Sequence, residues 1–425
     1  MAKLTKLVLL LTCLCGNSLF SRAQQATDPV LFAYGEAALF DGKYGKVREL
    51  QAALAPVLAK CRIAGVNIVP DGRFGANTAE AIRRVSACQV LKVKLPDGSA
   101  AFAGAVTVGL WRAILPRVPP PTVEQRAQIL VLTYEATDYD NLEWNFCQSR
   151  PIWSPDDPTK PCYTNDPRSY ITWGPRGATA GHGREAQWIL WRLERRNPRL
   201  LPKAFGAEVA TVRQLLAIDD DSARRLLCSV FADTPRRTAW AAAFASLGRE
   251  PLVRRLYDAH YLSQASDGAK MTRLYKLWEL LKLRPTAVDY GFFLDRATHS
   301  SPPPAGDGAI RIAAWLKANA APVTSAQVRR AFAASFPTAN QTQDRLGRDV
   351  AFFIDNFGEA GLNEAELAAW QKRGKVKASD VGLFDYLPAP ALVNIVETTR
   401  PAFTETLNPA PLCPPSVLLP QKPPR

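Results

Sequence analysis

The stretch Thr122-Val-Glu-Gln-Arg-Ala-Gln-Ile-Leu-Val-Leu-Thr-Tyr-Glu135 decides how the rest of this chain is interpreted. Thr122 and Gln125 have the spacing of a capping box, which predicts the start of a helix. Apolar side chains then recur at helical spacing on one face: Val123, Ala127, Leu130, Val131 and Tyr134. Glu135 lies at the margin of that face, where desolvation would raise its pKa and suit it to proton donation. The alternative is a solvated glutamate in the last turn of a helix.

The N-terminus has the pattern of a secretory signal peptide. Lys3 and Lys6 precede an apolar run over residues 7–15, and Ala23 ends a small-residue cleavage site, so residues 1–23 are predicted to be removed. Cleavage would lower the formal net charge by three, from +14 to +11. We therefore predict a periplasmic or secreted protein without stable membrane insertion. The basic charge favours an anionic partner. Because the cations are dispersed, we predict that the partner is not nucleic acid.

Six cysteines remain after the predicted cleavage, an even number that predicts disulfides in an oxidising compartment. Locality along the chain favours Cys61 with Cys88 and Cys147 with Cys162. Cys228 and Cys413 then remain, although sequence alone does not fix the connectivity. The three histidines lie far apart, so we predict no metal site and no cofactor.

Composition shifts divide the chain. Pro119-Pro120-Pro121 is a stiff break between a helical segment and long helix-patterned stretches. We predict a mainly α protein with a small domain at residues 28–117, a linker at 118–121 and a large domain at 122–395. A proline-rich tail follows at residues 396–425. The oligomeric state is not readable from the sequence.

The first domain contains Asp71-Gly72-Arg73-Phe74-Gly75-Ala-Asn-Thr78, and a looser copy runs from Asp97-Gly98 to Thr107. Each Asp-Gly predicts a tight turn, and each threonine is expected to cap the helix that follows. The paired pattern resembles the three-helix peptidoglycan-binding domain of bacterial wall hydrolases. The resemblance implies that the binding groove lies beside these turns. The residues carried over to that groove are Asp71, Arg73, Phe74 and Thr78.

After Glu135 the chain contains Glu143-Trp144 and then a segment rich in β-branched residues, aromatics and glycine over residues 169–181, which predicts a short hairpin. A helix pattern follows from Gly183, and Pro198 is expected to end it. This order of helix, hairpin and helix resembles the lysozyme-like superfamily. The stretch Pro175-Arg176-Gly177-Ala178-Thr179-Ala180-Gly181 resembles the hairpin of the chitosanases of glycoside hydrolase family 46. The likeness implies a lysozyme-like α+β domain in which Glu135 is the general acid.

The chain departs from that family at two places. Gly174 stands where the resemblance implies the second catalytic carboxylate, and glycine cannot act as a base. Arg184 lies where an acidic residue should receive the amine of chitosan. A basic protein also suits an anionic peptidoglycan strand better than polycationic chitosan. We therefore predict peptidoglycan as the partner and substrate, with chitosan as the alternative.

The expected roles follow from the resemblance. Glu135 would protonate the leaving oxygen of a β-1,4 linkage, and Thr179 would position a water or a sugar hydroxyl. Thr172 would support the hairpin, and Arg176 would buttress a carboxylate or contact the glycan. Four acids remain open as the second carboxylate: Glu185, Asp138, Asp140 and Asp166. Glu185 is the catalytic candidate, and Asp138 and Thr172 are also expected to contact substrate.

Hydrolysis and lytic transglycosylation both stay open for such a site. The rival hypothesis is a wall-binding protein whose lysozyme-like domain has lost catalysis. Asp258 and Asp295 lie on later helix patterns. We expect these two acids to belong to the core or to an internal ion-pair network.

Overall fold

The structure is a computed structural model, and the predictions for the signal peptide, Cys147, Cys162, Asp166 and Cys413 lie outside the residues it describes. Those residues are 28–91, 95, 98–146, 169–181, 183–263, 266–337, 342–392 and 401–408.

The first unit is built from three short α-helices and two small antiparallel sheets. The helices are α1 Lys46–Lys60, α2 Ala76–Ser86 and α3 Val108–Ile114. Strand β1 Val30–Phe32 pairs with β4 Val106–Thr107, and β2 Leu39–Phe40 pairs with β3 Arg73–Phe74. The predicted Cys61–Cys88 disulfide is confirmed and links the ends of α1 and α2. Cys228 is also disulfide-bonded.

Only one of the two predicted threonine caps is present. Thr107 accepts a hydrogen bond from the Leu110 N–H at 3.3 Å and caps α3. The prediction for Thr78 is wrong, because α2 already begins at Ala76 after Gly75 and has no side-chain cap. Thr78 instead points into the core and accepts a hydrogen bond from Gln51.

Helix α4, Val123–Glu135, confirms the helix predicted after Thr122, and Thr122 and Gln125 form the predicted capping box. A three-stranded antiparallel sheet follows in the order β5 Leu142–Trp144, β6 Ser169–Trp173 and β7 Ala178–Gly181. The predicted hairpin is therefore confirmed as β6–β7, with Thr172 opposite Thr179. The third strand, β5, contains Glu143 and Trp144 and was not predicted.

The rest of the described chain is helical, so the predicted mainly α class is confirmed. Helix α5 runs over Glu185–Arg196 and ends before Pro198, as predicted. The later helices are α6 Leu200–Phe205, α7 Val209–Leu215, α8 Asp220–Ala232, α9 Thr234–Arg249, α10 Pro251–Tyr261, α11 Asp267–Leu280, α12 Ala287–His299, α13 Ala305–Ala318, α14 Ser325–Ser335, α15 Thr342–Val350, α16 Ile354–Phe357 and α17 Glu364–Lys372. Within the described ranges, none of these helices combines the length and apolarity of a membrane span.

One hydrophobic core runs from the first unit through α4 to the later helices. It joins Phe32 and Leu50 of the first unit to Leu130 of α4 and Phe292 of α12. The Phe40 N–H also donates to the Thr133 hydroxyl at 2.9 Å. A second core lies behind the sheet, around Trp173 and Phe244. Helix α4 is thus packed against the first unit on one side and α12 on another, which fixes where its last residue lies.

Candidate functional site

Glu135 lies at the end of α4 between the side chains of a histidine and an arginine from distant parts of the chain. His299, the last residue of α12, places Nε2 2.6 Å from Oε1 of Glu135. Arg348 of α15 places a guanidinium nitrogen 2.7 Å from the same oxygen. No described residue forms a hydrogen bond to the second oxygen, Oε2, and the side chain of Glu135 is 24% exposed. One carboxylate oxygen is therefore anchored, and the side chain as a whole keeps partial access to solvent.

The prediction of a raised pKa at Glu135 is wrong for the unliganded protein. Burial does raise the pKa of this carboxyl, but the hydrogen bond with His299 and the charge of Arg348 outweigh that effect and lower it. The prediction considered only the apolar face of one helix. It missed two cations that are 164 and 213 residues away along the sequence. The resting carboxyl is ionised at neutral pH.

Arg348 connects Glu135 to a buried ion-pair network. Its guanidinium also contacts Oδ1 of Asp295, at 2.5 Å and 3.0 Å. Asp295 pairs in addition with Arg345, which bonds Asp349 at 3.1 Å, and Asp349 pairs with Arg296. Burial raises the pKa of Asp295, yet the charges of Arg345 and Arg348 hold it well below its usual range. The predicted internal network around Asp295 is confirmed.

Three carboxylates balance three guanidinium groups in this network, and five of the six side chains, all except Glu135, are almost completely buried. A buried charge of this kind is tolerated only when it is paired and hydrogen-bonded. The network therefore fixes Arg348, and Arg348 in turn fixes Oε1 of Glu135. The ring of Tyr134 supports the guanidinium of Arg348 from a distance of 4.8 Å.

The hairpin is tied to the helix that bears Glu135. Arg176, in the turn between β6 and β7, donates from its guanidinium to the Gln128 side-chain oxygen of α4 at 3.0 Å. Its side chain is buried, lies 3.8 Å from Asp267 and stacks on the ring of Tyr261. Two roles were expected for Arg176, to buttress a carboxylate or to contact the glycan. Its burial is compatible with the first role. A glycan outside the protein has no access to the guanidinium.

Gln128 also belongs to a second polar cluster. Tyr139 donates its hydroxyl to Asp258 at 2.6 Å, and the Gln128 amide donates to the same carboxylate at 3.3 Å. Burial raises the pKa of Asp258 despite the opposing charge of Arg176. Gln128, Tyr139 and Asp258 line a cavity of about 400 Å³ between α1, α4 and α10. Asp258 was expected in the core or in an internal ion-pair network, but it is half-buried at this cavity and is hydrogen-bonded to neutral side chains.

Glu185 and Thr179 meet beside strand β7. The hydroxyl of Thr179 donates to Oε2 of Glu185 at 2.6 Å, and the Thr179 N–H donates to the same oxygen at 3.1 Å. The hydroxyl of Thr172 accepts from the amide of Asn145 at 2.9 Å. The structure therefore brings together the two residues expected to handle water. It gives Thr172 the supporting contact expected of a hairpin residue.

Gly174 cannot be replaced by an acid in this backbone. Its φ is +76°, and a Cβ added there would lie 2.7 Å from the ring of Tyr257. L-residues rarely adopt that conformation, so both strain and overlap exclude a side chain. A carboxylate at the position implied by the resemblance is incompatible with this turn.

Asp138 and Asp140 face the first unit. Asp138 is 7% exposed and accepts from the backbone N–H of Lys43 at 2.6 Å and of Tyr139 at 2.7 Å. Asp140 pairs with the Lys43 ammonium at 2.9 Å. Both acids therefore hold the two parts of the chain together. The structure thus places Asp138 at this contact, and its expected contact with substrate stays a prediction.

The four residues carried over to the first unit serve different purposes. Asp71 accepts from the Arg73 N–H at 2.8 Å and from Gln51 at 3.0 Å, which closes the predicted turn. Phe74 is completely buried and does not line the cavity beside this turn, which corrects its assignment as a direct binding residue, whereas Thr78, although nearly buried, does line that cavity. The guanidinium of Arg73 is exposed and stacks on Phe40 at 4.6 Å. A surface cavity of about 280 Å³ lies beside this turn.

Sequence reasoning missed His299 and Arg348 as partners of Glu135. His299 is the last residue of α12 and lies four residues after Asp295, on the same side of that helix. This spacing is the signal in the sequence that could have placed His299 near the ion-pair network. Nothing in the local sequence marks Arg348. Within the part of the chain that the structure describes, no group of three or more acidic, histidine or cysteine side chains is placed to hold a metal ion. Comparison with known protein families, curated proteins and solved structures found no match to this chain.

Proposed function

We propose that this protein cleaves β-1,4 linkages of the bacterial cell-wall glycan, with Glu135 as the acid that protonates the leaving oxygen. The observation that carries the proposal is the geometry of Glu135 itself. One oxygen is held by His299 and Arg348, while the other has no partner among the described residues and belongs to a partly exposed side chain. A catalytic carboxyl must be fixed in place and still reach a substrate atom.

The proton comes from the pair that Glu135 forms with His299. When the imidazole is protonated, the 2.6 Å contact holds one transferable proton between the two side chains. A glycan on the exposed face of Glu135 removes water from the carboxyl, and this desolvation favours its protonated form. The carboxyl then passes the proton to the glycosidic oxygen as the bond to the anomeric carbon breaks.

Glu185 is the favoured second carboxylate, because Asp138 and Asp140 are occupied at the contact with the first unit. In hydrolysis, Glu185 takes a proton from water as the water oxygen bonds to the anomeric carbon, and Thr179 orients that water. In transglycosylation, a hydroxyl of the sugar attacks instead and Glu135 accepts its proton. Glu185→Gln therefore slows a hydrolase by about 100-fold and leaves a transglycosylase nearly unchanged.

The cell wall is the favoured substrate for three reasons. The full chain carries a formal net charge of +14, which suits an anionic polymer better than cationic chitosan. The first unit offers a cavity beside the turn formed by Asp71 and Arg73. The Cys61–Cys88 disulfide is typical of an oxidising compartment such as the periplasm.

The test is digestion of isolated cell wall and of chitosan by the purified protein, with the soluble products analysed by mass spectrometry. The proposal expects muropeptides from the wall, faster than sugars from chitosan. Products with a free reducing end identify a hydrolase, and anhydro products identify a transglycosylase. Faster release from chitosan identifies the alternative, a chitosanase.

A second candidate function is wall binding without catalysis. It is favoured by the lowered pKa of Glu135, which the hydrogen bond with His299 and the charge of Arg348 bring about against the effect of burial. An ion pair of this kind can be purely structural. Sedimentation of the protein with wall, without any soluble product, is the outcome that would establish this candidate instead.

A further inference from the structure

Helix α5 carries a cationic face away from the hairpin. Arg192, Arg195 and Arg196 have i, i+3 and i+4 spacing, so they share one side of the last turns of the helix. Together with Trp191 and with Leu256 of α10 they line a pocket of about 330 Å³. No residue of the catalytic proposal lines this pocket.

The two terminal arginines have no acidic partner in the described part of the chain. Arg195 stacks on the ring of Trp191 at 4.8 Å, which leaves the edge of its guanidinium free to donate. Both Arg195 and Arg196 are exposed. The neighbouring acid on the helix, Glu194, is taken up by Arg213 at 2.7 Å.

Arg195 and Arg196 carry adjacent positive charges in the last turn of α5, where the helix dipole favours cations but supplies no hydrogen-bond acceptor for the two exposed guanidinium groups. An anion in the pocket pairs with both of these charges. Guanidinium groups bind carboxylates and phosphates through paired hydrogen bonds, and the indole ring offers an apolar surface for the atoms that carry the anion.

We propose that this α5 pocket binds an oxyanion, a carboxylate or a phosphate, of an anionic wall polymer. The site is separate from Glu135, so it would add affinity for the wall without taking part in bond cleavage. Two sources share this chemistry: the carboxylates of the wall peptides, and the phosphates of wall-associated polymers. Only the identification of the wall as the source rests on the proposed function.

Calorimetric titration of the whole protein tests the site with two probes, inorganic pyrophosphate and a purified disaccharide tetrapeptide from cell wall. The test variant is Arg195→Ala/Arg196→Ala. The matched control is Arg273→Ala/Lys276→Ala, which removes the same charge from exposed i, i+3 positions of α11. At least one probe is expected to bind at least tenfold more weakly to the test variant and within twofold of wild type to the control.

The probe that shows this loss identifies the source of the oxyanion. Equal weakening in both variants would mean general attraction to a basic protein, and binding of neither probe to the wild type would mean no site; either result overturns the inference. Cleavage of short soluble glycans is measured in parallel. If neither probe binds at the α5 pocket but soluble glycans are still cleaved, only this inference is overturned. If a probe binds at the α5 pocket but no glycan is cleaved, only the proposed enzymatic function is overturned.

Discussion

Two groups of buried carboxylates in this protein have opposite pKa shifts. Around α12, burial raises the pKa of Glu135 and Asp295, but neighbouring cations lower both. Where the first unit meets the rest of the chain, burial raises the pKa of Asp41 to about 7 and that of Asp380 to about 6. Asp138, at the same contact, is raised for the same reason.

The difference lies in the partners of the carboxylates. Arg348 and His299 bring positive charge to Glu135, whereas Asp41 is bonded mainly by the backbone N–H of Val47, at 2.9 Å. Asp41 also lies close enough to Asp138 to be raised by its negative charge. Burial therefore sets up the shift in both groups, and the charge of the neighbours decides its direction.

The two groups must respond in opposite ways to acid. A lowered carboxyl pKa contributes stability above the pKa of the unfolded chain, and this is lost as the pH falls through the folded value. A raised carboxyl pKa destabilises the folded protein, and the penalty is complete above the pKa in the folded state, which is about 7 for Asp41 and about 6 for Asp380. This penalty disappears as the pH falls towards about 4, the pKa in the unfolded chain. Acidification from pH 8 to 5 should therefore tighten the contact between the two parts of the chain.

The largest effect is expected for Arg348→Met, which removes the cation that Glu135 and Asp295 share. The free energy of unfolding should fall by about 3–5 kcal/mol, because a buried carboxylate loses its partner. Urea unfolding at pH 7 measures the change, with Arg273→Met on the surface of α11 as the control. A loss as small as the control's would mean that the cations do not set the pKa in this region.

Asp41→Asn should have the opposite effect on stability. The amide keeps an oxygen for the Val47 N–H but carries no charge, so the variant should be more stable than wild type by about 1–3 kcal/mol at pH 8. The difference should vanish near pH 4. Urea unfolding across this pH range gives the answer, and Asp307→Asn, an exposed position on α13, is the control. A variant that is less stable at pH 8 would contradict the raised pKa.

His299→Gln should have the smallest effect on stability, a loss of about 1 kcal/mol, since glutamine can still donate to Glu135. Its larger consequence is for activity: the variant has no imidazole proton to share with the carboxyl. The rate of wall digestion at pH 7 should fall by about 100-fold. A wild-type rate would show that the imidazole proton is not used and that His299 only positions Glu135.

The same contrast explains what the sequence could predict. The capping box at Thr122, the hairpin and the stop at Pro198 all depend on residues close together in the chain. The direction of the Glu135 pKa shift depends on Arg348, which the fold brings from another helix. Phe74 and Asp138 were expected to contact a ligand, but Phe74 packs on Phe32 inside the first unit and Asp138 is buried where the two units meet.

The most direct test of the account compares wild type, Glu135→Gln and Glu364→Gln in digestion of isolated cell wall. Glu364 is an exposed acid on α17, so its variant controls for the loss of one charge. The account predicts soluble muropeptides from wild type and the control, and release at least 1,000-fold slower from Glu135→Gln, because the leaving oxygen has no proton donor. Muropeptide release by Glu135→Gln at the wild-type rate, or no release by wild type, would contradict it.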